Sequence, residues 1–321
     1  MSASTSPLSV RALWNRAWSL SPTLAAATVV MALGAVLTTL GLLLDSRQLV
    51  GEPLWLKPTK FYLSLTAYNA TVMYFFSFLS ERQRLVRLSG HILAAAGTIE
   101  MVAITLQAAR GVRSHFNVAT PFDAAIFSMM GIAITVLWVT MIVLALALLR
   151  ARLAALPLAA ALRTGFIAAV IGMGLGYFMT SPNPAQLEAM RAGQRVAEAG
   201  SHTFGVPDGG PGLPLVGWST VAGDMRPAHF LGLHAMQVLP ILAALLARRR
   251  NLSEAQRLAA VRATGAAYVG VTLVLAMQAL RGLPIVRWDA VGLWALALVL
   301  TASLATAAAT LWHPPVSAAV A

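Results

Sequence analysis

The sequence predicts an all-α integral membrane protein with eight transmembrane helices, arranged as two tandem parallel four-helix repeats. Three observations lead there. Of 321 residues, 58% are hydrophobic and 11% charged, and the apolar residues gather in runs of about 20 or more, enough to cross about 30 Å of hydrocarbon. The basic residues collect in short connections between the runs. Two short motifs recur at nearly one spacing along the chain.

Residues 10–20, with Arg11, Trp14, Arg16 and Trp18, predict a short helix lying in the membrane interface. Spans follow at about 22–44, 58–80, 88–109, 122–149, 157–180, 227–247, 254–279 and 286–311. The first run is longer than the apolar core of a signal peptide and no cleavage site follows it, so it is read as a retained span. Ser21-Pro22 and Thr120-Pro121-Phe122-Asp123 read as N-caps with proline in the first turn, and Ser253 with Gln256 as a capping box. In domain terms the expectation is an interfacial segment 1–20, a first four-helix unit 21–150, a second unit 151–312 with an outer loop 181–225, and a tail 313–321.

The connections after the second, fourth and sixth spans carry Arg82, Arg84, Arg87; Arg150, Arg152, Arg163; and Arg248, Arg249, Arg250, Arg257, Arg262. By the positive-inside rule these face the cytoplasm, with both termini, in a bacterial cytoplasmic (inner) membrane. The net charge of +12 therefore fits lipid topology and implies no nucleic-acid partner. There is no cysteine, so disulfide frameworks and thiolate metal sites are excluded. The 181–225 loop holds an amphipathic piece, Pro184 to Ala199, and a Gly/Pro segment, Val206 to Pro214. A loop this long is a lid or binding element more often than slack. Its second half is expected to pack over a site, and its first half is read equally as a flexible linker.

The repeat rests on Lys57-Pro58-Thr59-Lys60-Phe61 against Arg226-Pro227-Ala228-His229-Phe230, and on Gln107-Ala-Ala-Arg110-Gly111 against Gln278-Ala-Leu-Arg281-Gly282. The two offsets are 169 and 171 residues. Parallel repeats commonly place sites at their interface, so an outward-facing polar pocket is expected there.

Polar and ionisable groups inside spans usually serve function. Glu100 lies about 15 Å from Arg110 along its helix, and His234 about 12 Å from Arg226, at 1.5 Å per residue. Glu100 with Gln107, and His234 with Gln237, each share a helix face and are the candidate catalytic residues. Lys57, Lys60, Arg110, Asn117, Arg226, Gln278 and Arg281 form a collar suited to an anionic small molecule or lipid headgroup, with Asp224 and Asp289 available to pair with its bases. His115, His229 and His234, with Glu100, have the ligand types for zinc or iron, although the five-residue gap from His229 to His234 does not put both on one helix face. Haem is the other cofactor considered, with His234 as ligand and Arg110, Arg226 and Arg281 near the propionates. Gly172-Met-Gly-Leu-Gly176 is assigned to helix packing, and His91, His202 and His313 receive no site role.

The segments LWLKPTKF, LQAARGVRSHFN-ATPFD and GWSTVAGDMRPAHFLGLHAMQVLP resemble an uncharacterised family of bacterial multi-pass membrane proteins. That resemblance covers most of the chain. It implies the membrane fold and brings no activity, substrate or cofactor with it. Three readings stay open: a metal- or haem-dependent membrane enzyme or redox protein acting on an anionic or lipid substrate, a proton-coupled permease for a small anionic solute, and a sensor or assembly protein. Few polar residues lie on the cytoplasmic side of Glu100, which favours an enzyme or binding protein over a permease.

Overall fold

The computed structural model describes residues 10–312; residues 1–9 and the expected tail 313–321, with His313, lie outside them. The described chain is helical throughout its long elements: α1 Val10–Leu20, α2 Pro22–Leu44, α3 Leu56–Phe76, α4 Gln83–Ala109, α5 Pro121–Leu149, α6 Leu156–Thr180, α7 Pro184–Arg191, α8 Arg226–Ala247, α9 Glu254–Leu280 and α10 Ala290–Trp312. Two strand pairs are two residues each: β1 Gln48–Leu49 with β2 Glu52–Pro53, and β3 Thr203–Phe204 with β4 Gly223–Asp224. Seven helices (α2, α4, α5, α6, α8, α9 and α10) are long and apolar enough to cross a membrane. The eighth expected span, 58–80, corresponds to α3. It has 21 residues and ends at Phe76, and Lys57, Lys60, Asn69 and its hydroxyl residues keep it outside the seven.

The chain divides into two compact units. One takes the described chain up to Arg47, Pro53–Val112 and Met129–Thr140; the other takes Gln48–Glu52, Arg113–Ser128 and the described chain from Met141.

In the first unit α2, α3 and α4 pack on one another, and α1 packs on all three. Small residues set the approach. A Cβ on Gly41 would stand 2.7 Å from the Trp55 ring, and Tyr62 fills the space at Gly34. The Tyr62 and Thr105 hydroxyls meet at 3.1 Å and tie α3 to α4. Ser21 departs from expectation. It precedes α2 but makes no side-chain cap; its buried hydroxyl lies over Gly90 of α4, where a side chain would collide with it.

In the second unit α6, α8 and α9 pack on one another, and α10 packs on α9. The α6–α8 crossing is the tightest. A Cβ on Gly172 would lie 2.7 Å from Gly232 backbone atoms, one on Gly232 2.6 Å from the Gly172 Cα, and one on Gly165 2.9 Å from the Ala235 carbonyl oxygen. Small residues gain van der Waals contact where lipid removes the hydrophobic drive. The glycine run of α6 is therefore packing, as its sequence predicts. The caps expected at Thr120 and Ser253 are present, the first accepting from the Asp123 N–H and the second forming a full capping box with Gln256.

The repeated helix endings have one local explanation. After α4 the Val112 N–H donates to the Gln107 carbonyl and the Gly111 N–H to the Ala108 carbonyl. After α9, Leu283 and Gly282 do the same to Gln278 and Ala279. Gly111 has φ +73° and Gly282 +74°. This is the Schellman stop, which needs a left-handed residue where glycine is the cheapest choice. Helix α7 ends identically at Gly193, φ +72°, without the glutamine and arginine. The matching glycine positions thus follow from helix-stop chemistry.

The 181–225 loop is built at both ends. In its first half α7 carries an Asn183–Gln186 capping box, and Gln186 both donates to the Gly200 carbonyl and accepts its N–H. The Val118 N–H donates to Ala197, the Ala199 N–H to Phe116, and the Ser201 N–H to Met179 at the end of α6. A linker reading of the first half does not describe these contacts. The expected amphipathic piece to Ala199 is helical only to Arg191. In the second half β3 pairs with β4, Thr203 opposite Asp224. Beneath them Phe116, Leu175, Met179, Met225, Ala228, Ala276 and Ala279 form a buried cluster.

Candidate functional site

The candidate residues divide between the units. In the first, Glu100 and Gln107 are 2% and 0% exposed on α4, two turns apart. The Gln107 Oε1 accepts from Arg110 Nη1. The Lys57 ammonium stands 5.8 Å from the Phe61 ring centroid, and Lys60 lies one turn further along α3. Tyr68 and Asn69 of α3 are buried as well.

In the second unit the α6–α8 crossing fixes His229. Its Nδ1 lies 2.7 Å from the Gly172 carbonyl oxygen. A carbonyl only accepts, so Nδ1 carries the hydrogen and the neutral ring keeps its lone pair on Nε2. The close approach at Gly172 and Gly232 is what brings that carbonyl within reach. His234 follows five residues later on α8, its ring 4.1 Å from that of Phe230, with Gln237 beside it. The Gln237 Oε1 is buried without a hydrogen-bond partner. His115 packs edge-on to Phe116 at 6.0 Å, and its Nδ1 is 3.1 Å from the Ser114 hydroxyl. Both His115 and His234 are close enough for a charge on either to act on His229. Among the described residues, however, no three His, Cys, Asp or Glu side chains are grouped to share a metal ion.

The collar of the second unit is largely engaged with its own chain. Arg226 donates from its backbone N and Nε to Asp224 Oδ1 at 2.9 and 3.0 Å, from Nη2 to Oδ2 at 2.6 Å, and from Nη2 to the Gly217 carbonyl at 2.6 Å. Arg281 forms a two-pronged pair with Asp289. Asn117 makes a local turn, accepting from the Ala119 N–H and donating to the Arg113 carbonyl. Gln278 donates to the Pro284 and Arg287 carbonyls at 2.8 and 3.2 Å and braces the loop that enters α10. Asp45 and Arg47 in the first unit repeat the geometry of Asp224 and Arg226, Nη2 to Oδ2 being 2.7 Å. The shared spacing, Asp-x-Arg, is the sequence signal for both.

Sequence reading missed a second polar centre. Asp208 accepts from the Ser201 hydroxyl at 2.8 Å, the Thr203 hydroxyl at 3.0 Å, the N–H groups of His202 and Thr203, and His202 Nδ1 at 2.7 Å. Arg113 pairs with Glu198 at 2.7 Å and stands 3.8 Å from Asp208. The His202 ring sits 4.8 Å from Phe116. Burial alone would raise the Asp208 carboxyl. The hydrogen bond and charge of His202, with the Ser201 hydroxyl and the His202 N–H, outweigh it and hold the group well below the usual carboxylate range. Locally Val206-Pro-Asp-Gly-Gly reads only as a turn, so no spacing marks Asp208.

The class this architecture defines is a multi-pass helical membrane protein, with seven membrane-length helices among the described residues and a polar loop between α6 and α8. Comparison with protein-family models, curated proteins and solved structures returns no match.

Proposed function

We propose that the protein is a membrane-embedded enzyme or redox protein of the bacterial cytoplasmic membrane, both termini cytoplasmic, in which His229 offers one imidazole nitrogen to a cofactor or substrate. The observation that carries this is the Nδ1–H bond to the Gly172 carbonyl. Such a bond fixes the tautomer and ring direction of a ligating histidine, and its loss typically weakens binding about 10–100-fold. The donor set does not suit a zinc site built from three protein ligands. It would suit a cofactor that needs a single imidazole from the protein, such as haem, which His229 would hold through Nε2. Arg226 and Arg281 are paired with aspartates; within the first unit Lys57, Lys60 and Arg110 are the proposed contacts for an anionic or lipid substrate. Glu100 remains the candidate proton carrier there. Internal symmetry adds little support, because one of the two motifs it rests on ends in a helix stop that α7 shares.

The tight α6–α8 crossing favours a fixed site over the sliding of helices a permease needs. The placing of His229 within reach of charge on His115 and His234 favours proton-coupled transport as the second reading.

The test is an optical spectrum and metal analysis of detergent-purified protein, as isolated and after addition of haemin. A Soret band or stoichiometric metal in the wild type, lost in His229→Ala and kept in His91→Ala, is the expected result. A colourless, metal-free protein that also ignores haemin overturns the cofactor reading. Proton-coupled uptake by liposomes would then be measured.

A further inference from the structure

At the end of α6 away from the 181–225 loop, the turn between α5 and α6 forms an open cleft of about 530 Å³, independent of the His229 region. Three arginines line it, Arg150, Arg152 and Arg163, and no carboxylate does. The chain has no Asp or Glu at all between Asp123 and Glu188. Arg163 lies two turns inside α6 and reaches back: its Nη2 donates to the Ala151 carbonyl at 2.9 Å. Its Nε is buried and has no hydrogen-bond partner. A buried donor on a charged group without an acceptor is costly, which makes Arg163 a strained member of the group that lines the cleft. The first turn of α6 adds to this. Ala155 at the N-cap has no side-chain acceptor, so the N–H groups of Leu156 and Leu158 have no side-chain cap, and the partial positive charge of a helix start favours an anion. Leu149 and Leu156, both exposed, edge the cleft.

We propose that this cleft binds a phosphate-bearing anion, the chemistry shared by free phosphate and an anionic phospholipid headgroup. Guanidinium forks match phosphate oxygens in pairs. The leucine edges suit an acyl chain beside the headgroup. Arg163 comes from inside α6, and Arg150 and Arg152 from the turn before it, so the three guanidinium groups line one cleft from two sides of the turn.

The experiment uses the full chain, delipidated in detergent, and native mass spectrometry with phosphatidylglycerol or phosphatidylcholine of the same acyl chains. A parallel arm follows thermal unfolding with inorganic phosphate. Expected is retention of one phosphatidylglycerol in preference to phosphatidylcholine, weakened about tenfold in Arg163→Gln and at least tenfold in the exposed pair Arg150→Gln/Arg152→Gln, each lost charge-assisted contact being worth roughly that factor. The triple change Arg248→Gln/Arg249→Gln/Arg250→Gln, on another loop, should leave it intact. If inorganic phosphate stabilises the wild type and not the Arg150/Arg152 variant, while the lipids are not distinguished, the site stands and free phosphate is its ligand. The proposal is overturned if neither probe distinguishes wild type from the Arg150/Arg152 variant. It is equally overturned if the Arg248–Arg250 variant loses binding as fully as the cleft variants, since the effect is then one of general surface charge. The exposed pair keeps the test readable should Arg163→Gln fold poorly.

Discussion

Gly172→Ala tests the packing that orients His229. The new Cβ would lie 2.7 Å from Gly232 Cα and C and from the Leu233 N, all backbone, where ordinary contact begins at 3.4 Å. The helices must part by about 0.7 Å, the difference between those distances. Overpacking against backbone alone falls in the upper part of the usual range, about 2–3 kcal/mol, while replacing a helical glycine by alanine returns about 1 kcal/mol of propensity. The net is a destabilisation of about 1–2 kcal/mol, a factor of roughly 5–30 in the folded-to-unfolded ratio. Parting the helices also draws the Gly172 carbonyl away from His229 Nδ1, so any His229-dependent binding should weaken with stability. The assay is the midpoint of detergent-induced unfolding followed by circular dichroism, with Gly131→Ala as control. Nothing lies within 4 Å of a Cβ there, so that variant should gain about 0.5–1 kcal/mol from propensity alone. A Gly172→Ala protein as stable as wild type would refute the backbone-contact argument.

Two further outcomes follow from the same geometry. Asp208→Asn should destabilise the loop by about 3 kcal/mol, as breaking a buried charged network does, read as faster proteolysis or hydrogen exchange over residues 197–208. Because the folded carboxyl sits below its unfolded value, its contribution is complete above about pH 4–5 and is lost progressively as the pH falls towards the folded value; a wild-type advantage over the variant that did not shrink on acidification below about pH 4 would contradict this. Gln278→Leu removes two donors from the Pro284 and Arg287 carbonyls and should cost about 1–2 kcal/mol, seen as exchange confined to residues 283–289. Loss spread evenly over the whole second unit would argue against a local brace.

The span pattern was legible because apolar runs and capping chemistry are local. Thr120 with Asp123, and Ser253 with Gln256, act three residues apart, and the α6 glycines announce a close helix partner without naming it. Ser21 misled because a serine before proline reads as a cap, while its actual neighbour is Gly90, 69 positions away. The collar arginines were read as a set by position along the chain. Their partners at Asp224 and Asp289 lie two and eight residues distant, near enough to suspect but not to assign from spacing. Asp208 was beyond reach for another reason. Its donors come from Ser201, His202 and Thr203, and its neighbouring base from Arg113, and only folding brings those segments together. His229 was visible as a histidine on a polar helix entrance; that a glycine carbonyl from another helix fixes its tautomer was not.

The joint between Arg113–Val118 and Ala197–Asp208 carries a consequence for biogenesis. Between its two halves the ribosome must deliver α5 and α6, both of membrane length. Until α6 has crossed, Arg113 has neither Glu198 nor Asp208 to meet. The joint therefore works as a completion mark: it can close only on a chain in which α5 and α6 have both been made and folded back on each other's ends. A nascent chain halted before residue 198 would leave Arg113 without Glu198 or Asp208 and the Phe116 carbonyl without the Ala199 N–H.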